Sequence, residues 1–508
     1  MIILFFVYGY NKTIDKGPYS LHQWRQADCL SITNNYYEDN LNFLEPEVNW
    51  VGAKGNEKTV SEFPLIYYTV GNLWKLFGKH YFIYRITNLS IVLIGLFLLY
   101  RSFQFYLSDS FWSISLVLFL FSSPLLAYYS NNFIANTPAF GFALIGLYFT
   151  SLYYQRFKLK HLYLSCLFFL LGGLLKLTAL MPFVGLLPIH LYFLIYKSKG
   201  KNKVQLALPI LAVIAFIVVW YSYAKHYNEQ NISGIFLQGL LPIWKLNASE
   251  IKVIAVELYH VVLPSYFNLS GLFFILSIFI YSLFNYKKAN KALLVLTINC
   301  FIGSFIFLML FFKVFNVHDY YLTNLLIIVP LALITFFDII KRQYPSGLKM
   351  KGIKAIGATV VVLLIYNATA QTRIKYNSHD PVVQNSFLFS KEEQGFWNWY
   401  HWNYGETFAA LETIEPYLRE LGVERNDRVI SIPDHSINIS LFLMNQKGFS
   451  DFGYSGLEGG ERIEKFKELG AQYLIINRPA AYSREYLTPY LNNKIGTYKN
   501  VDIYRIVE

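Results

Sequence analysis

The sequence predicts an α-helical polytopic membrane protein with about 11 spans and a C-terminal α/β domain outside the membrane. Three observations carry this. Of the 508 residues, 55% are hydrophobic and only 15% are charged, against about 25% charged in an average soluble chain; the mean hydropathy is +0.34. Apolar runs long enough to cross a bilayer recur from residue 82 to residue 370. After Ala370 the chain turns to Asp, Glu, Gly and Pro at the frequencies of a soluble protein.

The spans are expected near 82–100, 111–130, 138–154, 162–180, 182–196, 205–223, 269–285, 292–312, 322–340 and 353–370. A shorter run, Met1–Tyr8, falls below the roughly 20 residues needed to cross. With no basic region and no cleavage site, it reads as part of a first span whose beginning lies upstream. Four connections are basic and contain no acid: 155–160, 197–203, 285–291 and 341–351. They alternate along the chain, so they share one face, which the positive-inside rule makes cytoplasmic. The opposite face then holds the loop 11–79, the turn 130–137, the segment 225–268, the turn 313–321 and the C-terminus. The net charge of +12 lies largely in short loops, which excludes a nucleic-acid patch as its meaning. The three cysteines stand in separate segments and make neither a disulfide framework nor a cysteine metal site.

The expected division is therefore a transmembrane domain, 1–371, and a soluble domain, 372–508. Amphipathic pieces near 21–38 and 63–77 in the first loop, and 232–245 and 249–262 later, read as interfacial helices. In the soluble part the expected elements are helices at 406–421, 436–446, 461–469 and 483–492. Strands are expected at 428–432, 472–476 and, as a pair, within 495–507. There is no Walker loop and no glycine fingerprint after a strand, so no nucleotide site is expected.

The first loop holds the candidate chemistry. Asp28, in Trp24-Arg-Gln-Ala-Asp28, is a carboxylate that can take a proton from a hydroxyl. Burial at the membrane surface raises the pKa of such a group unless a partner offsets it. Arg25 lies three positions before it, on the same helix face; a plain salt bridge is the other reading. Glu62-Phe-Pro-Leu65 opens the second loop helix, where Glu62 taken alone reads first as a helix cap and second as a functional acid. Lys176 and Arg85 lie near the outer ends of spans. A cation there either binds an anion or snorkels to headgroups. His318, Tyr320 and Tyr321 at a late external turn read as a phosphate or sugar site or as part of an aromatic belt.

Taken in order, these residues resemble the polyprenyl-phosphate-dependent glycosyltransferases of the GT-C superfamily. The nearest are bacterial relatives of protein O-mannosyltransferases and of lipid A aminoarabinose transferases. The motifs are Arg25 to Asp28, Glu62 to Leu65, the Gly78-Lys79 pair with Arg85, Lys176, and His318 with Tyr320 and Tyr321. The resemblance covers residues 1–370. It implies a GT-C fold in a bacterial plasma membrane with the C-terminal domain periplasmic. It implies a polyprenyl-phosphate-linked sugar as donor, an acceptor hydroxyl on a lipid, protein or glycan, and inversion with Asp28 as general base. Arg85, Lys176, His318, Tyr320 and Tyr321 would bind the donor phosphate and lipid. Trp24, Arg25 and Glu62 would contact acceptor or sugar. The chain departs from the family where Cys29 follows Asp28 in place of a Glu, at Asn136-Thr-Pro138, and at Glu62-Phe-Pro64 in place of Lys-Pro-Pro. No cofactor is implied, and a divalent metal is not supported. A transporter or flippase of lipid-linked saccharides would carry charges deep in several spans. A polymerase would place its large loop late.

Overall fold

In the computed structural model, the described residues are all except Met1, 198–200, Gln238, Ser455 and Glu508. Part of the basic connection 197–203 thus lies outside them. The chain divides into two compact units. The membrane unit comprises Met1–Asp15, Tyr84–Tyr221 and Gly239–Arg373. The α/β unit comprises Lys16–Ile83, Ser222–Gln238 and Ile374–Glu508. The first loop is thus grouped with the C-terminal segment, whereas the linear division at 371 and 372 assigned it to the transmembrane part.

Six helices among the described residues are long and apolar enough to span: Tyr81–Leu107, Leu177–Tyr196, Lys203–Asn231, Lys291–Leu310, Asp319–Gln343 and Lys351–Tyr376. Two bent pairs raise the number to eight if each counts as one span. The apolar run expected at 111–130 is one of these. It breaks into Ser110–Phe121 and Pro124–Ser130 with a 78° bend. Pro124 has no N–H to continue the helix, and the Ser123 hydroxyl caps the new one by accepting from the Leu126 N–H. The second pair, Ala248–Tyr266 and Leu269–Phe284, bends by 84°, and Asn268 caps the second helix. The run expected at 162–180 ends as a helix at Leu175. Lys176 is extended, and a short 3₁₀ turn, Leu177–Leu180, leads into the helix Met181–Tyr192. Lys176 therefore stands at a helix break and not inside a span.

In the α/β unit, a five-stranded sheet has the order β2-β1-β3-β5-β4. Its strands are β1 Arg428–Ile432, β2 Gly448–Phe449, β3 Ala471–Ile476, β4 Lys494–Tyr498 and β5 Val501–Arg505. The strands β2, β1 and β3 are parallel, and β5 runs antiparallel to both β3 and β4. The central strands β1 and β3 are buried almost throughout, as expected of parallel strands covered on both faces. Ile430, Ile432, Leu474 and Ile476 pack with Phe449, Ile463, Phe466 and, from the first loop, Val51. Trp50 forms a parallel bridge to Gly448, and Val51 N–H donates to the Gly448 carbonyl at 2.7 Å. Only glycine fits at 448, because a Cβ would lie 2.0 Å from the Val429 carbonyl oxygen.

The helix Gln23–Glu38 is buried on nearly every side despite its polar sequence. Three of its polar side chains are met by the surrounding chain as follows. Ser31 donates to the Asn49 side chain at 2.7 Å, Asn34 to the Asn445 side chain at 2.9 Å, and Asn35 to the Glu47 carbonyl at 3.0 Å. The helix Leu65–Phe77 packs tightly on it, because Gly71 lets the backbones approach. A Cβ there would be 2.9 Å from Tyr36 Cβ and 3.0 Å from the Thr33 carbonyl oxygen. Among the described residues of 232–245, the expected interfacial helix does not form. Ile232, Gly234, Leu237 and Gly239 all have positive φ, which breaks a right-handed helix, and only a 3₁₀ turn, Ile243–Lys245, remains.

Candidate active site

Asp28 and Arg25 lie one turn apart on the buried helix Gln23–Glu38, and Arg25 Nη1 is 3.7 Å from Asp28 Oδ2. The guanidinium is committed elsewhere. Its Nη2 reaches both oxygens of Glu62 at 2.5 and 2.6 Å, and Phe236 places its ring 4.9 Å from Arg25 Cζ. Glu62 also accepts from the Tyr67 hydroxyl at 2.8 Å and from Ser61. The Glu-Phe-Pro-Leu segment sets this up: Pro64 stands immediately before the helix Leu65–Phe77, and Tyr67 sits in its first turn.

Asp28 has a second partner, from the C-terminal segment. Asn438 Nδ2 donates to Asp28 Oδ1 at 2.9 Å. Asn438 is fully buried, and its amide has one orientation, because Oδ1 accepts the Trp50 backbone N–H at 3.0 Å. Asp28 is only 3% exposed. Burial pushes its pKa from 3.8 up to about 6, against the opposing pull of the Arg25 charge and the Asn438 hydrogen bond. A carboxylate with that value is a competent proton acceptor near neutral pH. Trp24, also expected in the site, is half-buried on the same helix.

The other expected residues lie in the membrane unit. Arg85 is fully buried; its guanidinium donates to the Asn131 carbonyl and lies 4.1 Å from the Phe133 ring centre. Lys176 Nζ lies 5.0 Å from the Tyr321 ring centre. His318 packs against Tyr320 and Tyr321 at 5.4 and 6.0 Å. The turn after Ser130 ties these groups together. Arg85 holds its start at Asn131, and Asn136 at its end donates to the Tyr320 carbonyl at 3.0 Å. Lys176, His318, Tyr320 and Tyr321 form one cluster, with Arg85 joined to it through this turn. Among the described residues, no three His, Cys, Asp or Glu side chains come together as a metal site would require.

Residues 61–223 match the family model described as dolichyl-phosphate-mannose-protein mannosyltransferase. The crystal structure of ArnT from Cupriavidus metallidurans bound to undecaprenyl phosphate aligns with a TM-score of 0.61 at 12% identity. The alignment covers 100% of this chain and 97% of that one. The chain has the GT-C glycosyltransferase fold. The apo state of the same ArnT gives 0.59 at 12% identity over the same 100% and 97%. The GT-C arabinofuranosyltransferase AftD from Mycobacteria gives 0.55 at 10% identity, over 100% of this chain and 41% of that one. No curated protein matches the sequence. The GT-C resemblance, the polytopic membrane class and the C-terminal sheet read from the sequence are borne out.

Two site features escaped the sequence. Asn438 stands 410 positions from Asp28, and Phe236 lies in a segment expected to be helical. Neither carries a local signal, since each is brought to its partner by the packing of distant segments.

Proposed function

We propose that this GT-C protein moves a sugar from a polyprenyl phosphate to an acceptor hydroxyl outside a bacterial plasma membrane, with Asp28 as general base. The observation that carries this reading is the Asp28 carboxylate, buried and held by Arg25 and Asn438 with a pKa of about 6. In the proposed step, Asp28 takes the proton of the acceptor O–H while that oxygen attacks the anomeric carbon. The bond from that carbon to the phosphate oxygen breaks, its electron pair leaves with the phosphate, and the sugar inverts. Lys176, Arg85 and His318, with Tyr320 and Tyr321, are assigned to the lipid phosphate, where cations stabilise the leaving group. The solved ArnT bound to undecaprenyl phosphate supports a lipid of this class as partner.

Glu62 is assigned to hold Arg25 in place. The acceptor is a lipid, protein or glycan bearing a free hydroxyl. The test is reconstitution in proteoliposomes with a panel of synthetic undecaprenyl-phosphate hexoses and pentoses, together with a membrane lipid and glycan extract. Release of undecaprenyl phosphate is followed by mass spectrometry. Release from one donor that depends on the extract is expected; release from none sinks the proposal. Orientation is read with a cysteine at the exposed Ser483, which should react with an impermeant maleimide in intact spheroplasts.

A further inference from the structure

One cleft takes no part in this chemistry. It lies wholly within the α/β unit, between residues 45–58 of the first loop and the last turns, 223–231, of the helix Lys203–Asn231. Its volume is about 290 Å³. Pockets for drug-sized ligands begin at roughly 300 Å³, so this one suits a single small ring and not a long chain. The spacing along the helix puts Tyr223, His226, Tyr227 and Gln230 on one face. The Tyr223 and Tyr227 rings stand 5.9 Å apart. Their hydroxyls donate to the Leu44 and Pro46 carbonyls at 2.7 and 3.4 Å, which fixes both rings in place.

Around these rings stands a mixed set of polar groups. Lys58 Nζ donates to Glu45 at 3.2 Å, and Lys54 Nζ donates to the Gln230 carbonyl at 3.0 Å. Both contacts are open to water, so each contributes little to stability and a ligand can replace it. His226 and Gln230 are exposed at the rim. Glu45 among the lysines opposes a bare anion such as phosphate. Two ammonium donors, a carboxylate acceptor, an amide and two aromatic rings match a sugar instead. Its hydroxyls both donate and accept, and its C–H face is apolar.

Four residues join the cleft to the Asp28 cluster. Lys58 to Glu62 spans at most about 14 Å of extended chain, and Glu62 holds Arg25. The path between them is pinned to the helix. Asn228 accepts from the Val60 N–H at 2.7 Å and donates to the Val60 carbonyl at 2.8 Å. We propose that this cleft binds one saccharide unit of the acceptor, the length of a short oligosaccharide away from the reacting hydroxyl, so that the acceptor is a glycan. The proposal rests on the reading of Asp28 as the base for an acceptor hydroxyl.

The test uses the full chain in detergent, without donor. Methyl glycosides of glucose, galactose, mannose, rhamnose and N-acetylglucosamine are screened by saturation-transfer difference NMR, with inorganic phosphate as competitor. At least one glycoside should take up saturation, and phosphate should not displace it. Gln230→Trp, which fills the cleft from its exposed rim, should weaken the signal several-fold. No signal from any glycoside overturns the proposal. So does a signal that Gln230→Trp leaves unchanged or that phosphate removes. In the turnover assay the same variant should raise KM for the glycan extract several-fold and show far less in kcat; an unchanged KM also overturns the proposal. The two readings fail separately: a chain that turns over no donor ends the transfer reading, while the NMR screen still decides the cleft.

Discussion

The two units keep buried charge in different company. In the membrane unit, Arg85 rests on the Phe133 ring and a backbone carbonyl, and Lys176 rests on Tyr321. Such contacts orient a cation through a quadrupole or a dipole. In the α/β unit, one guanidinium serves two carboxylates. Glu62 has Arg25 at 2.5 Å, and Asp28 has it at 3.7 Å. Identical chemistry thus gives two kinds of acid. One is locked in a short ion pair. The other is left under-compensated, so that burial raises its affinity for a proton. One region orients positive charge, which suits an anion, and the other leaves a basic oxygen, which suits a hydroxyl.

The largest expected effect breaks the comparison outright. Asp28→Asn keeps the shape and the Asn438 contact but loses the proton acceptor. Donor turnover should fall by about 10²–10⁴-fold, measured as undecaprenyl phosphate released, with solubility and gel-filtration behaviour unchanged. Turnover at the parent rate would remove Asp28 from the chemistry. The cationic side is tested next. Lys176→Met should weaken binding of undecaprenyl phosphate itself by about 10–100-fold, the range for one charge-assisted hydrogen bond lost. Microscale thermophoresis in detergent reads this without any sugar. An unchanged Kd would return Lys176 to a headgroup contact.

A finer pair of variants tests how Arg25 is shared. Asn438→Ala removes a donor that favours the ionised form, so the Asp28 pKa rises above about 6. The acidic limb of kcat/KM should then move up by about one pH unit. Glu62→Gln removes a like charge and frees Arg25 to turn toward Asp28, so the same limb should move down. Two limbs moving in one direction, or not at all while both proteins stay folded, would show that Asp28 is not the group being titrated.

These contrasts also explain what was legible in the sequence. The first-loop helices could be read, because Trp24 to Asp28 and Glu62 to Leu65 carry their own punctuation. So could β1 and β3, whose branched apolar runs suit buried strands. The helix Lys391–Thr407 could not, because Gly395 and Gly405 interrupt a run whose aromatic residues lie on both faces. The helix expected at 483–492 fails on Pro489; 3₁₀ turns stand there instead. In the site, the acid and its cation were legible because they are one helical turn apart. The distances that pair one carboxylate closely with Arg25 and the other loosely were not, since 2.5 and 3.7 Å are set by packing among segments far apart in sequence.

The smallest effect is thermal, and its sign is the sharpest check on the buried carboxylate. Folding raises the Asp28 pKa from 3.8 to about 6, so the folded state holds the proton more tightly than the unfolded state does. The contribution of Asp28 is thus most favourable below about pH 4 and is lost as pH rises through about 6. Above pH 7 the ionised group costs about 2–3 kcal/mol. Asp28→Asn, neutral at every pH, escapes that cost. The inactive variant should therefore melt a few degrees higher than the parent at pH 8, and the gap should close by pH 4, as followed by differential scanning fluorimetry. A parent that gains stability from pH 4 to pH 8 relative to the variant would mean that Arg25 over-compensates Asp28. The contrast between the two carboxylates would then disappear.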